Sequence, residues 1–596
     1  YYKVQGTISD VTIDDGKLFY RPEDIVMDIL TRRDTTHAIV DCGDFHLNMD
    51  AHGGYKRLIK HGTSLVAELQ KQLSDKYIDQ LRLRERLPLA RIYLMSGKYN
   101  FFCRVLKKYG YRLDNIFMDM TSSPITGLNG NMEIDSLVFD SLQLDTVRLN
   151  LHSTDKDITY QAQVRNNKKN PQYCFNAMID GGIYEKGTRL ITKIYDANNK
   201  LGVGFNIAGS MEENGIKLHL FGEEPILGYK QFHFNDSNYV FFSDDHRLSA
   251  DLELKADDGT GIQMFTNDKN SEVLQDITVS LNKFYLEKIL SVLPYTPHVS
   301  GIMNGDFHVI KTKEELSVSS SLSVDNMIYE HCPMGNVSTE FVYMPKSDSS
   351  HYVDGILMSN GKKVATLVGT YKSAGEGYLD ANLELEKTPL AFVNGFIPNQ
   401  LIGFKGFGEG KLTVKGTLSK PQVNGDVYLD SAYMVSIPYG VELRFDNDPV
   451  RIVGSHLLFE NFEMYAHNDS PLTVSGYFDF SNLNNMYLDM KMRARNFQII
   501  DAKKNLRSEA YGKAYVNFFG MMNGPVESLQ MRGRLDVLGS TDMTYVLRNS
   551  PLTTDNQLDG LVEFTSFHDS KEVVVKRPPL TGFGMDLTMS IDDNAH

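Results

Sequence analysis

The sequence predicts a mostly β protein, an elongated repeating β-groove whose open, twisted sheet forms a trough with a hydrophobic interior, accompanied by a few short amphipathic helices. Three observations predict it. Apolar and polar residues alternate along most of the chain, a pattern of proline, glycine-containing turn and hairpin recurs, and helical spacing is confined to short stretches. At 596 residues the chain is longer than one core can serve, so several domains or a repetitive build are expected.

The alternation is explicit. Successive strand residues point to opposite faces, so Leu248, Ala250, Leu252, Leu254 and Ala256 share one side. The same phase places Met486, Leu488, Met490 and Met492 opposite Asp489, Lys491 and Arg493. Further copies are Val147, Leu149 and Leu151; Leu316, Val318, Leu322 and Val324; Leu379, Ala381, Leu383 and Leu385; and Leu529, Met531, Leu535 and Val537. One-sided strands exclude a parallel α/β core, whose central strands read as continuous apolar runs. The residues expected to line the interior are Val147, Leu149, Leu151, Leu252, Leu254, Leu316, Val318, Leu322, Leu412, Val414, Leu418, Val427, Leu429, Leu472, Val474, Leu488, Met490, Met492, Met531 and Leu535.

Helical spacing appears in Lys56–Lys60 and Leu65–Leu73, interrupted near Gly62, and in Asn100–Lys108, ended by Gly110. Asn282 is placed to cap a helix over Lys283–Leu290 before Pro294, and a short helix is expected over Leu390–Phe396. These pieces are expected to plug or flank a sheet edge, being too short to insert in a membrane. Four segments are expected: 1–80 with the helical insertion near 56–73, then 81–281, 282–387 and 388–596.

The repeat has a fixed order. Val292-Leu293-Pro294 leads to Gly301–Gly305, read as a turn, and then to Asp306–Val309. Phe396-Ile397-Pro398 leads likewise to Gly406–Gly410 and Lys411–Val414, and Pro124 to Gly127–Gly130 and Asn131–Ile134. Glycine suits a tight turn or bulge through its tolerance of positive φ.

Chemistry is conspicuous by what the sequence lacks. No HExxH, GxSxG, P-loop or DxDxDG motif occurs, and the sixteen histidines are scattered, so neither an enzyme nor a cofactor or metal site is expected. Asp257-Asp258 reads as hydrogen-bonded turn chemistry, and His219 and His456 as solvent-facing strand residues. Cys42, Cys103, Cys174 and Cys332 have neither CxxC nor zinc spacing; they read as small buried side chains, with one long-range disulfide left open. The net charge of −15 comes from interspersed acids and bases, which argues against nucleic acid as a partner.

The strand, proline turn, strand units Val414–Leu429 (VKGTLSKPQVNGDVYL) and Met522–Ser540 (MNGPVESLQMRGRLDVLGS) resemble those of the TamB family, the inner-membrane component of the translocation and assembly module, within the AsmA-like proteins. The stretch from Ser96 through Thr121-Ser-Ser-Pro124 to Leu137 looks like the Bacteroidetes branch of that family. The resemblance covers most of residues 80 to 590 and implies a β-taco fold and a periplasmic, bridge-like protein. Such a protein is attached to the inner membrane of a Gram-negative bacterium, spans toward the outer membrane, and carries phospholipid in outer-membrane biogenesis. It further implies a BamA-like β-barrel partner reached through a C-terminal region. The start at Tyr1 and the end at Asp593–His596 read as the interior of a longer protein, with the N-terminal anchor and that C-terminal region outside it.

Energetics give the trough its expected role. Each lipid CH₂ in water costs about 0.8 kcal/mol, so a continuous apolar lining offsets tens of kcal/mol for a two-chain lipid. At roughly 4.8 Å per strand, about forty strands would extend on the order of 150 to 200 Å. Two other readings of the same pattern are an outer-membrane protein assembly factor that templates client strands beside a BamA-like barrel, and a structural or adhesive array of β-sandwiches.

Overall fold

The computed structural model describes residues 2–596 apart from 10–12, 15–18, 21–22, 140–141, 171, 268–272, 294–295, 313–315, 347, 349, 374, 397–402, 418–419, 437–440, 447–448, 483–484, 504–509 and 546–582. Leu418, Pro294 and Ile397-Pro398 therefore lie outside the described residues. The chain divides into two compact units, Tyr1–Glu314 and Glu315–His596. Each is a mostly β antiparallel meander, as the alternation requires.

In the first unit the strand Tyr2–Ile8 pairs with Ile25–Thr31, and from there each strand pairs with the next through Ala90–Ser96, Gly127–Phe139 and Leu142–Ser153 to Phe175–Tyr184 and Leu201–Glu212. Leu201–Glu212 then pairs with two short strands, Gly215–Leu220 and Ile226–Leu227, before the meander resumes through Leu248–Lys255 to Val299–Thr312. In the second unit the meander runs from Leu316–Tyr329 to Ala510–Pro525 and Leu529–Val537. The strand Phe583–Ile591 joins Leu529–Val537 in parallel.

The glycines read from sequence as turns are instead inside strands. Gly301 and Gly305 belong to Val299–Thr312, Gly406 and Gly410 to Gly403–Thr417, and Gly127 and Gly130 to Gly127–Phe139. Several sit across from a β-bulge on the neighbouring strand. Among the described residues, six bulge residues that are not glycine have φ near +50°: Lys283, Asn326, Lys387, Ser431, Asn461 and Asn496. Each occupies the same local pattern, an apolar residue, two polar residues, then a residue that points inward, as in Phe459-Glu460-Asn461-Phe462 and Ala494-Arg495-Asn496-Phe497.

The extra residue resets the phase, so positions three apart share the apolar face. Phe284, Ala432, Phe462 and Phe497 are buried directly after their bulges. A neighbouring asparagine satisfies the freed N–H in three copies, with Oδ1 of Asn304, Asn336 and Asn517 accepting from Lys283, Asn326 and Asn496 at 2.8, 2.9 and 2.9 Å. Glycine is required opposite because the backbones approach closely. A Cβ on Gly476, opposite Phe459, would stand 2.0 Å from the Asp489 carbonyl oxygen, and one on Gly406 2.3 Å from that of Ser431.

The unit Val414–Leu429 likewise differs from the sequence reading in its turn. The strand Lys420–Ser436 already includes Lys420 and Pro421, which pair with Thr417 and Gly416. Downstream, Ala510–Pro525 does end in a single turn before Leu529.

Helix α1 (Tyr55–Ser74) runs unbroken through Gly62, because an exposed helix pays only about 1 kcal/mol for one glycine. Helix α2 (Gln80–Glu85), started by the Asp79 side chain, was not foreseen from periodicity, being under two turns long. Helix α3 (Phe101–Lys108) begins as expected at Asn100, whose Oδ1 accepts from Cys103 N at 2.9 Å. Helix α4 is only Leu286–Leu290, and Asn282 does not cap it. Residues to Tyr285 stay in the strand, and the Asn282 amide donates to Gly259 O at 2.8 Å. Leu390–Phe396 is a 3₁₀ helix. All four cysteines are free thiols, with Cys42 buried.

Candidate functional site

Cross-strand partners directly opposite each other share a face, so the pairing register traces each apolar row. In the second unit one row reads Phe341, Gly355, Leu367, Leu383, Leu412, Gly425, Ile452, Leu457, Phe478 and Leu488, strand after strand. Beside it run Val318, Tyr343, Val353, Gly369, Ala381, Val414 and Val423, and Leu322, Thr339, Leu357, Ala365, Leu385, Gly410, Val427 and Val450. Alternation puts Leu316 on the same face as Val318.

Toward the end of the unit, Met490, Met522, Met531 and Met585 form a row of methionines, with Val474 opposite Met492, Leu472 opposite Ala494, and Leu535 opposite Phe518. Leu429, Leu472, Val474, Met490, Met492, Met531 and Leu535 all meet in one apolar cluster around Phe445, Phe462, Phe497 and Val516.

The first unit repeats the design. Met27, Val40, Leu47, Leu94, Met118, Met132, Leu149, Ala162 and Ile179 form one row. Val147 pairs with Ile134 and Val164, and Leu151 with Gly130 and Tyr160. Leu252 and Leu254 gather around buried Phe232 and Ala256. Sequence reading missed Phe341, Leu367, Ile452, Met118 and Met132, because a row that crosses strands appears only once the register is known.

The other face is ionic. Glu384 with Lys411 (3.0 Å), Asp380 with Lys415 (3.2 Å) and Glu133 with Arg148 (2.8 Å) pair directly across strands. Arg91 donates twice to Asp119, at 3.0 and 2.7 Å, and those hydrogen bonds hold the Asp119 carboxyl below its ordinary range. The Asp258 carboxylate accepts from Lys230 Nζ and from Thr260 N at 3.1 Å, which depresses its pKa strongly and is the turn chemistry expected there.

Short helices sit against the sheet. The 3₁₀ segment lies on the apolar face of the second unit, where Leu390 joins the cluster and Asn394 exchanges two hydrogen bonds with the Phe404 backbone, at 2.9 and 2.6 Å. Its Gly395 packs against Tyr329, four strands before the strand it leaves. The segment therefore runs across several strands of that face. In the first unit Val292, just beyond α4, is fully buried in a notch at Gly202, where a Cβ would stand 2.3 Å from its Cγ1. Beside it Tyr229 donates to Asp196 at 2.8 Å; burial and that carboxylate push its hydroxyl up to about 12.

Chemically, the arrangement offers a wide apolar surface. Among the described residues no group of three or more His, Cys, Asp or Glu is placed to hold a metal ion. No described helix is long and apolar enough to cross a membrane. Set beside known proteins, the chain matches no family model, no curated protein and no solved structure.

Proposed function

We propose that the chain is a lipid-transfer protein of the TamB type, shielding phospholipid acyl chains on the apolar sheet face while head groups stay in water. What carries the reading is the continuity of the apolar rows from strand to strand within each unit, with polar and ionic residues kept to the opposite face. A half-buried row of Leu, Met and Val suits this work. Acyl chains need a soft lining of no fixed shape, and methionine is the most adaptable apolar side chain. Binding and release would follow transfer energetics of about 0.8 kcal/mol per CH₂, with no bond made or broken. On this reading the chain is not an enzyme, it works in the periplasm between inner and outer membrane, and a BamA-like barrel receives the lipid. A second reading, a structural sandwich array, is favoured by the dense cluster around Phe445 and Phe497, which resembles an ordinary dry core.

Purification followed by lipid extraction and mass spectrometry is expected to find bound phospholipid. Leu149→Asp, in the half-buried row, is expected to keep the fold and lower transfer between vesicles about tenfold or more, since a carboxylate in the path must be desolvated. Unchanged transfer by a folded Leu149→Asp protein would sink the conduit.

A further inference from the structure

Helix α1 is built inside out. Toward the protein it turns polar residues: Glu68 is 7% exposed and Gln72 4%. Glu68 accepts from Arg86 at 2.6 Å and from Gln72 at 2.9 Å, Gln72 accepts from Asp79 N at 2.8 Å, and the His61 ring meets Arg86 O at 2.9 Å. Toward solvent it turns Tyr55, Ile59, Val66, Leu69 and Leu73, with Ile59 62% and Val66 55% exposed. Their spacing, with Gly62 in the gap, keeps them in one stripe along the whole helix. At 1.5 Å per residue that stripe is about 27 Å long. Leu81 of α2 is exposed as well.

The charges name the occupant. Lys56, Arg57, Lys60 and Lys71 are exposed on α1, and its single acid, Glu68, is buried against Arg86. The rest of the chain is acidic, with a net charge of −15 overall, so a local cationic flank is a departure from its surroundings. A second copy of this helix would bring four cations against four with no exposed acid to pair them. An anionic bilayer complements both features, because Lys and Arg snorkel to phosphates while the apolar stripe enters the acyl boundary.

We propose that α1 is a membrane-docking helix that lies in the headgroup layer of an anionic bilayer. It does not span that bilayer; the helix is polar on the side that packs against the protein. The role is separate from the apolar sheet face and holds whether or not that face carries lipid.

The chain contains no tryptophan, so Val66→Trp gives a single reporter on the stripe. With phosphatidylcholine vesicles containing phosphatidylglycerol, its emission is expected to shift to the blue and to be quenched by brominated acyl chains. Adding Ile59→Asp and Leu69→Asp, both on the exposed stripe, is expected to weaken vesicle binding about a hundredfold at an unchanged melting temperature. Lys56→Glu with Lys60→Glu and Lys71→Glu is expected to abolish the preference for anionic vesicles. Emission indifferent to vesicles would overturn the proposal. So would a blue shift that appears without lipid as protein concentration rises, which assigns the stripe to a second copy, or one present in the dilute free chain, which assigns it to another segment of this protein. The sheet variant Leu149→Asp leaves the reporter signal intact, so failure of docking and failure of lipid transfer are told apart.

Discussion

The two units carry the same alternating pattern and pack it differently. Between Ala432 and Val516 the second unit buries eleven residues in one cluster, where Phe404 and Phe445, on strands that do not pair, bring their ring centroids to 6.0 Å, and Phe445 and Phe462 meet at 5.4 Å. Small Ala432, on the strand between them, leaves room for the rings to close over it. In the first unit the buried cluster is Phe232, Leu254 and Ala256, and the row through Met118, Met132 and Leu149 stays half-buried. Alternation decides which face is apolar. Side-chain size across neighbouring strands decides how far that face closes.

The largest expected effect tests this difference directly. Phe497→Ala removes a buried ring and leaves a cavity in the dense cluster, and is expected to cost about 3–5 kcal/mol in urea unfolding. Leu149→Ala removes half-buried surface and is expected to cost about 1–2 kcal/mol. Equal losses would mean that the first unit is as closed as the second.

The bulges come next, since they keep both faces in phase. Asn496 holds φ 48°, a conformation that β-branched residues avoid, and its N–H is bound by Asn517. Asn496→Val is expected to destabilise by about 1–3 kcal/mol and Asn496→Gly by much less. A harmless Val would show that the neighbouring strands shift freely and do not fix the register.

How much of this was legible depended on the range of the cause. The apolar face of Leu252 and Leu254, or of Met490 and Met492, follows from period two within a single strand. The bulge did not announce itself, although Leu429-Asp430-Ser431-Ala432 and Val324-Asp325-Asn326-Met327 carry it in plain view, because two adjacent polar residues look like a broken strand. The glycines opposite were visible and were assigned to turns, since their need for close approach comes from a partner strand far along the chain. Helix α1 was split at Gly62 by a local rule that its packing overrides. Its inverted orientation was unreadable, because Arg86 and Asp79, which bind its polar side, lie beyond its end.

The smallest effect concerns the outer face of the first unit, beside the small cluster. His233 lies between Phe232 and Phe234, with its ring 2.5 Å from Glu224 and 3.2 Å from Asp257. The hydrogen bond with Glu224, then that with Asp257, raises the imidazole pKa, and the same contact lowers that of Glu224. A raised histidine pKa stabilises the fold fully below the unfolded value, about 6.5, and the gain disappears as pH climbs through the folded value. For Glu224 the sign is opposite, its contribution being lost as pH falls through its depressed value. The melting-temperature difference between the parent chain and His233→Gln is therefore expected to be largest near about pH 5 to 6 and to shrink on both sides. A difference that instead stayed level across that range would mean that His233 acts through packing and not through its charge, leaving the ionic face without a part in the pH dependence of this unit.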